Sequence, residues 1–148
     1  MVDEDFIKKL IKDRENMTLD LKLKITSKPK IAKTISAFAN TAGGIILVGV
    51  ADDGKMIGID PDEEKFMVQS ANEEFCTPQA DIIFEDFTFW TDFGNQSEEN
   101  EINLLLVFVS RNEGQKVLVL EKGEKKAYLR KNDQTLVDLN SQNGENKL

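Results

Sequence analysis

Ile35-Ser36-Ala37-Phe38-Ala39-Asn40-Thr41-Ala42-Gly43-Gly44-Ile45-Ile46-Leu47-Val48-Gly49-Val50-Ala51-Asp52-Asp53-Gly54 passes from helical to strand periodicity across two adjacent glycines. Before the joint, Ala32, Ile35, Phe38 and Ala39 keep helical spacing; after it, Ile45 to Val50 form an apolar run rich in β-branched residues, as in a buried strand. Gly43-Gly44 supplies the bend. It can be a tight turn only, or it can leave backbone N–H groups open to a closely approaching phosphate.

Outward from this stretch, Phe6, Ile7, Leu10 and Ile11 predict a short amphipathic helix over residues 4 to 14. Thr18 to Ile25 alternates, with Leu19, Leu21, Leu23 and Ile25 on one face and Asp20, Lys22 and Lys24 on a solvated one. Ser27 reads as an N-cap and Pro29 as a first-turn residue of the helix that reaches Asn40. Asp52-Asp53-Gly54-Lys55, between two apolar runs, reads as a hairpin turn. Pro61 opens a helix whose stripe is Phe66, Met67, Ser70, Ala71 and Phe75. Strands follow at 81 to 93 and 101 to 110, then a hairpin of 117 to 120 with 126 to 129 about Lys122-Gly123-Glu124. The aromatics Phe84, Phe87, Phe89 and Trp90 suit core packing, with base stacking as the alternative. One α+β domain over residues 1–140, with about three helices and a mainly antiparallel or mixed sheet, accounts for the pattern; residues 141–148 read as a flexible tail.

Composition narrows the chemistry. The 148 residues include one cysteine, Cys76, and no histidine. Internal disulfides, serine triads, thiol–imidazole pairs and histidine-bearing zinc sites are therefore excluded. Any acid–base or metal chemistry rests on carboxylates, lysines, Tyr128 or water. The acidic opening Met1-Val2-Asp3-Glu4-Asp5 is unlike a basic secretory leader, and no apolar stretch has spanning length, so a cytoplasmic location is expected. The net charge of −8 is unevenly spread: residues 8–59 hold ten basic and five acidic groups, whereas residues 60–101 hold one basic and thirteen acidic. Fields are screened within a Debye length of about 8 Å, so a basic face can act on an acidic protein, binding weakly and with salt sensitivity. No Walker A sequence is present, which speaks against nucleotide binding.

Glu15 to Lys24, Ile35 to Gly58 and Ala127-Tyr128-Leu129-Arg130 together resemble the Schlafen-type AlbA-like (AlbA-2) domain family. That family's pattern runs from an acid through an acidic-aromatic-lysine strand, alanine-phenylalanine-alanine-asparagine-threonine, two glycines and an apolar strand, to a late aromatic near an arginine. The strand departs from it, with Leu19-Asp20-Leu21-Lys22 where glutamate and phenylalanine are usual, and Ala42 stands before the glycines.

The resemblance implies a DNA- or RNA-binding module with a Schlafen AlbA-like fold, in bacteria often regulatory. Contacts to the phosphate backbone are then expected from Lys22, Lys24, Lys28, Lys30, Lys33, Asn40, Thr41, Gly43, Gly44, Arg130 and Lys131. Some members cleave RNA with three carboxylates and a divalent metal; by position Glu15 and Asp20 match two of these, and the third falls at Asp52 or Asp53. If this chain were such a ribonuclease, Glu15, Asp20 and Asp52 would hold Mg²⁺ or Mn²⁺; otherwise no cofactor is expected. A third expectation is protein interaction, through the acidic belt or through a homodimer formed at sheet edges.

Overall fold

The chain, in a computed structural model that describes residues 2–92 and 94–140, places its glycine joint between two sheets. Its elements are α1 (Glu4–Asp13), β1 (Leu19–Lys22), α2 (Lys28–Ala39), β2 (Gly44–Val48), α3 (Pro61–Phe75), β3 (Cys76–Thr77), β4 (Ile82–Trp90), β5 (Glu101–Val109), β6 (Leu118–Glu121), β7 (Glu124–Lys131) and β8 (Gln134–Val137), with a 3-10 turn at Glu98–Asn100. The first sheet has the order β1-β2-β5-β4, and the second β3-β6-β7-β8. β1 and β2 are parallel, Leu19 beside Ile45 and Lys22 beside Val48, with α2 as the crossover; the other pairs are antiparallel. This is an α+β domain with a mixed and an antiparallel sheet. No helix among the described residues is long and apolar enough to cross a membrane.

α2 lies between the sheets, which explains its composition. Eight of its twelve residues are buried, from Ile31 to Ala39. A helix covered on several sides has little room for a polar face. Its main cluster joins Ile35, Phe38 and Ala39 to Ile46, Val48, Leu105 and Val107 of the first sheet, and to Val117, Val119 and Tyr128 on the other side. The opposite face of the first sheet packs Leu19, Leu47, Leu104 and Leu106 against Ile7 of α1. Alternation along β2 and β5 sorts side chains between these two clusters.

Four sequence expectations change. The strand at 18–25 stops at Lys22: Leu23 turns outward, while Ile25 is buried and its N–H donates to buried Glu64 at 2.7 Å. The stripe of α3 is set by Val68, Ala71, Asn72 and Glu64 rather than by Phe66, which is 62% exposed. The turn at Asp52-Asp53-Gly54 closes through a single bridge, Val50 to Met56, because the chain leaves the sheet after Val48. Finally, β8 completes the second sheet beyond the last hairpin that the periodicity predicts. The expected tail, 141–148, lies outside the described residues.

Candidate nucleic-acid interface

Asp20 is the first surprise of the site. Expected on a solvated strand face, it is instead 4% exposed, because the face of β1 opposite Leu19 looks toward the second sheet. A buried carboxylate needs charge and hydrogen-bond partners. Arg130 on β7 supplies them: its Nη2 donates to Asp20 Oδ1 at 3.2 Å and to the Leu19 carbonyl at 3.0 Å. The same guanidinium donates through Nε to the Asn16 carbonyl and through Nη1 to the Thr135 hydroxyl, and lies 4.9 Å from the Phe38 ring centre. Its backbone N–H donates to Thr41 Oγ1 at 2.9 Å. All of this packs Arg130 as an internal strut.

Lys22 Nζ stands 3.1 Å from Asp20 Oδ2, and Glu15 shares a hydrogen bond with Asp20 while accepting from Leu21 N–H at 3.4 Å. Burial works against the charge on Asp20, but the hydrogen bond from Glu15 and the cations Lys22 and Arg130 hold its carboxyl below the usual range. Glu15 carries the opposite shift: burial, then the neighbouring Asp20, push it up to about 7. The pair therefore keeps one proton readily at Glu15 and the charge at Asp20.

Glu15 and Asp52 face a cleft of about 290 Å³ together with Arg14, Leu21 and Asp133. Arg14, at φ +65°, reaches across to donate to the Asp52 carbonyl at 2.9 Å. Asp53 is turned to its own loop, accepting from Lys55 N–H at 3.0 Å. Asp20 is engaged by Arg130 and Lys22, and among the described residues no three His, Cys, Asp or Glu side chains are grouped to hold an ion. Arg14 and Asp133 escaped the sequence reading. Asp133 carries the signal of an Asn-Asp turn, but only β8 folding back brings it to the cleft.

The remaining expected contacts divide sharply. Asn40 is bound inward, donating to the Val117 and Tyr128 carbonyls at 2.9 and 3.0 Å and accepting from Val117 N–H at 2.8 Å. The Gly43 N–H, read as open to a phosphate, donates to the Phe38 carbonyl at 2.7 Å and closes the end of α2. Gly44 lies against the Phe38 ring, where a Cβ would come within 2.8 Å. Lys28 pairs with Glu74 at 3.0 Å and lies over the Phe66 ring; Lys33 pairs with Glu121 at 3.0 Å and lies over Tyr128. Glu121 in turn accepts a hydrogen bond from the Tyr128 hydroxyl, and burial with that carboxylate raises the phenol above its usual range.

Lys22, Lys24 and Lys30 converge. They line one hollow of about 60 Å³ with Ile25, Thr26, Ser27 and Ile31, where β1 hands over to α2. Ser27 caps the helix, accepting from Lys30 N–H at 3.3 Å, and the first turn carries no acid. Lys24 and Lys30 are exposed and form no ion pair among the described residues. Lys131 is likewise exposed, at the far end of β7.

The match to the Schlafen, AlbA_2 family extends over residues 15–137, from Glu15 through the central glycine joint to the end of β8. The chain belongs to this family. The Schlafen, AlbA_2 region thus contains α2, both sheets and the Arg130–Asp20 pair, and leaves α1 outside. Among solved structures, the chain is similar to the crystal structure of the DIP2311 protein from Corynebacterium diphtheriae, at 16% identity and a TM-score of 0.48. The likeness covers 82% of this chain and 22% of that one, so the chain spans about a fifth of that protein's length. No curated protein matches the chain. Family membership points to a nucleic-acid-related role.

Proposed function

We propose that this Schlafen, AlbA_2 domain binds the phosphate backbone of DNA or RNA at the β1–α2 junction. The observation that carries the reading is the convergence of Lys22, Lys24 and Lys30 on one hollow beside the capped N-terminus of α2. Lysine ammonium groups give favourable energy to a phosphate without reading the bases, and a helix N-terminus adds N–H donors and the positive end of its dipole. Lys22 divides its charge between this hollow and Asp20. Lys131 extends the basic character from β7, whereas Arg130 acts from inside, holding β1 against β7 so that the hollow keeps its shape. Lys28 and Lys33 are already paired with acids and contribute less.

Fluorescence anisotropy against labelled single-stranded RNA, transfer RNA and duplex DNA tests this. The double variant Lys24→Glu/Lys30→Glu should bind at least about tenfold more weakly at low salt, with the slope of log affinity against log salt reduced by about two. Unchanged affinity and slope in that variant, with its fold intact by circular dichroism, would place the contact surface elsewhere.

A further inference from the structure

The two sheets expose four edges, and three of them are short. β1, β3 and β8 offer four, two and four residues. β4 offers nine, and among the described residues it pairs on one side only, with β5. Long unpaired edges are templates for another strand, and native proteins blunt them unless they are used. The hydrogen bonds at both ends of the β4–β5 ladder show which groups are free. Ser110 N–H donates to the Asp81 carbonyl and Thr91 N–H to the Asn100 carbonyl. Hydrogen-bonded pairs alternate along an antiparallel ladder. The same phase therefore engages residues 83, 85, 87 and 89 with β5 and turns the backbone N–H and C=O groups of Ile82, Phe84, Asp86, Thr88 and Trp90 outward.

Charge decides what can pair there. Ile83 is 66% exposed beside Glu85, and Glu73 and Asp81 share a hollow of about 230 Å³ with Ile82 and Phe84. Glu73, Asp81 and Glu85 form no ion pair among the described residues. A second copy pairing along the whole strand by a two-fold axis would set Asp86, paired with Lys65 at 2.8 Å, against its own copy, and would bring Glu85 of each copy to diagonal positions on one face. Like charges at that separation are unfavourable, so the strand is poorly suited to itself. A strand alternating basic and apolar residues meets no such penalty: its lysines or arginines lie on the Glu85 face of the sheet, and its apolar side chains lie on the opposite face beside Ile82 and Phe84.

We propose that the outer edge of β4 is a docking site for an extended, basic protein segment added as a fifth strand to the first sheet. It lies three strands from β1, about 14 Å across the sheet, so a partner held there leaves the β1–α2 hollow open. The domain would then join a nucleic acid at one edge of a sheet to a protein at the other.

The probe is a short acetylated and amidated peptide of alternating lysine and valine, with a glutamate–valine peptide as control. Amide spectra of the labelled protein should shift at Phe84, Asp86, Thr88 and Trp90 on adding the basic peptide and stay unchanged with the acidic one. Thr88→Pro removes one outward donor and leaves the backbone ladder to β5 in place, though it also loses the hydrogen bond from the Thr88 hydroxyl to Asn103 on β5 at 2.7 Å, and should weaken binding about tenfold; Glu85→Lys, a surface change that spares that bond, should weaken it comparably and serves if the proline variant melts early. Shifts confined to acids of α3 with the β4 amides still, wild-type affinity in Glu85→Lys, equal binding of both peptides, or sedimentation as a β4-paired dimer would each overturn the proposal.

Discussion

Arg130 and Asp20 show how one pair of residues ties the sheets together. With the guanidinium bonded to two backbone carbonyls, one hydroxyl and one carboxylate, Arg130→Ala leaves Asp20 buried with only Lys22 as a counter-charge. We expect a loss of about 3 kcal/mol in urea denaturation, and little recovery in Arg130→Lys, whose single ammonium cannot span those acceptors. Glu15 sets a pH dependence of the opposite sign to that of Asp20. Its folded pKa of about 7 lies above the ordinary 4.5, so its stabilising contribution is complete below pH 4.5 and fades as pH rises through 7. Asp20, held below its ordinary value, stabilises above pH 3.8 and loses that contribution as pH falls further. The groups facing Glu15 are Asp20, Lys22, Arg14, Asp52 and Asp133. Glu15→Gln should therefore gain stability relative to the parent between pH 5 and pH 8, by about the same amount whichever melting probe is used. A melting difference flat across that range would show that the carboxyl does not hold a raised pKa.

At the scale of elements, the junction of α2 and β2 is the most constrained point in the chain. Gly43 adopts φ +73°, and a Cβ there would stand 2.9 Å from the Val109 carbonyl oxygen. Gly43→Ala combines left-handed backbone with a backbone clash, for which about 2–3 kcal/mol of destabilisation is expected in chemical denaturation. Asn40 fastens the same helix end to Val117, just before β6, and to Tyr128 of β7 through three backbone groups, so Asn40→Ala should cost about 2–3 kcal/mol and lower the melting temperature without altering the helix content of the folded state. These two positions, which the sequence offered as phosphate contacts, hold the C-terminal end of α2 against its neighbours.

For the whole molecule, charge is uneven along the chain, and the fold brings its basic and acidic parts to one seam, where Lys24 shares a cavity of about 520 Å³ with Asp62 and Glu63 and Lys28 pairs with Glu74. The basic junction belongs to residues 22–30, while the acids of residues 60–101 lie on α3, β4 and the following turn. The net charge of −8 opposes a polyanion at long range, so under the proposed reading the lysines of the β1–α2 hollow must act within a Debye length of about 8 Å. Raising salt should then act in two directions: it screens both the attraction at the lysines and the repulsion from the belt. We expect Glu63→Gln/Glu73→Gln to tighten nucleic-acid binding by no more than about threefold at low salt, and to leave affinity unchanged near physiological salt, as read by the same anisotropy titration.

The order of helices and most strands was legible in the sequence because it depends on local periodicity. The helix–glycine–strand joint at 35–50, the cap Ser27, the helix-opening Pro61 and the turn at Lys122-Gly123 each declare themselves within a few residues. The three blocks of family resemblance were legible for the same reason. What local pattern does not contain is the environment of a face. Alternation in 19–25 separates two sides of a strand, but only the second sheet, folding over β1 by way of Arg130, turns the polar side into a buried one. Likewise the amides of Asn40 and Gly43 acquire partners from segments tens of residues away or from the helix end itself, and Lys28 and Lys33 lose their freedom to acids of α3 and β6. Sequence by itself determined the elements and their family, since those follow from short-range backbone preference and apolar spacing; tertiary structure alone decided which charged groups are struts and which are exposed, since that depends on burial and on partners brought together from distant parts of the chain.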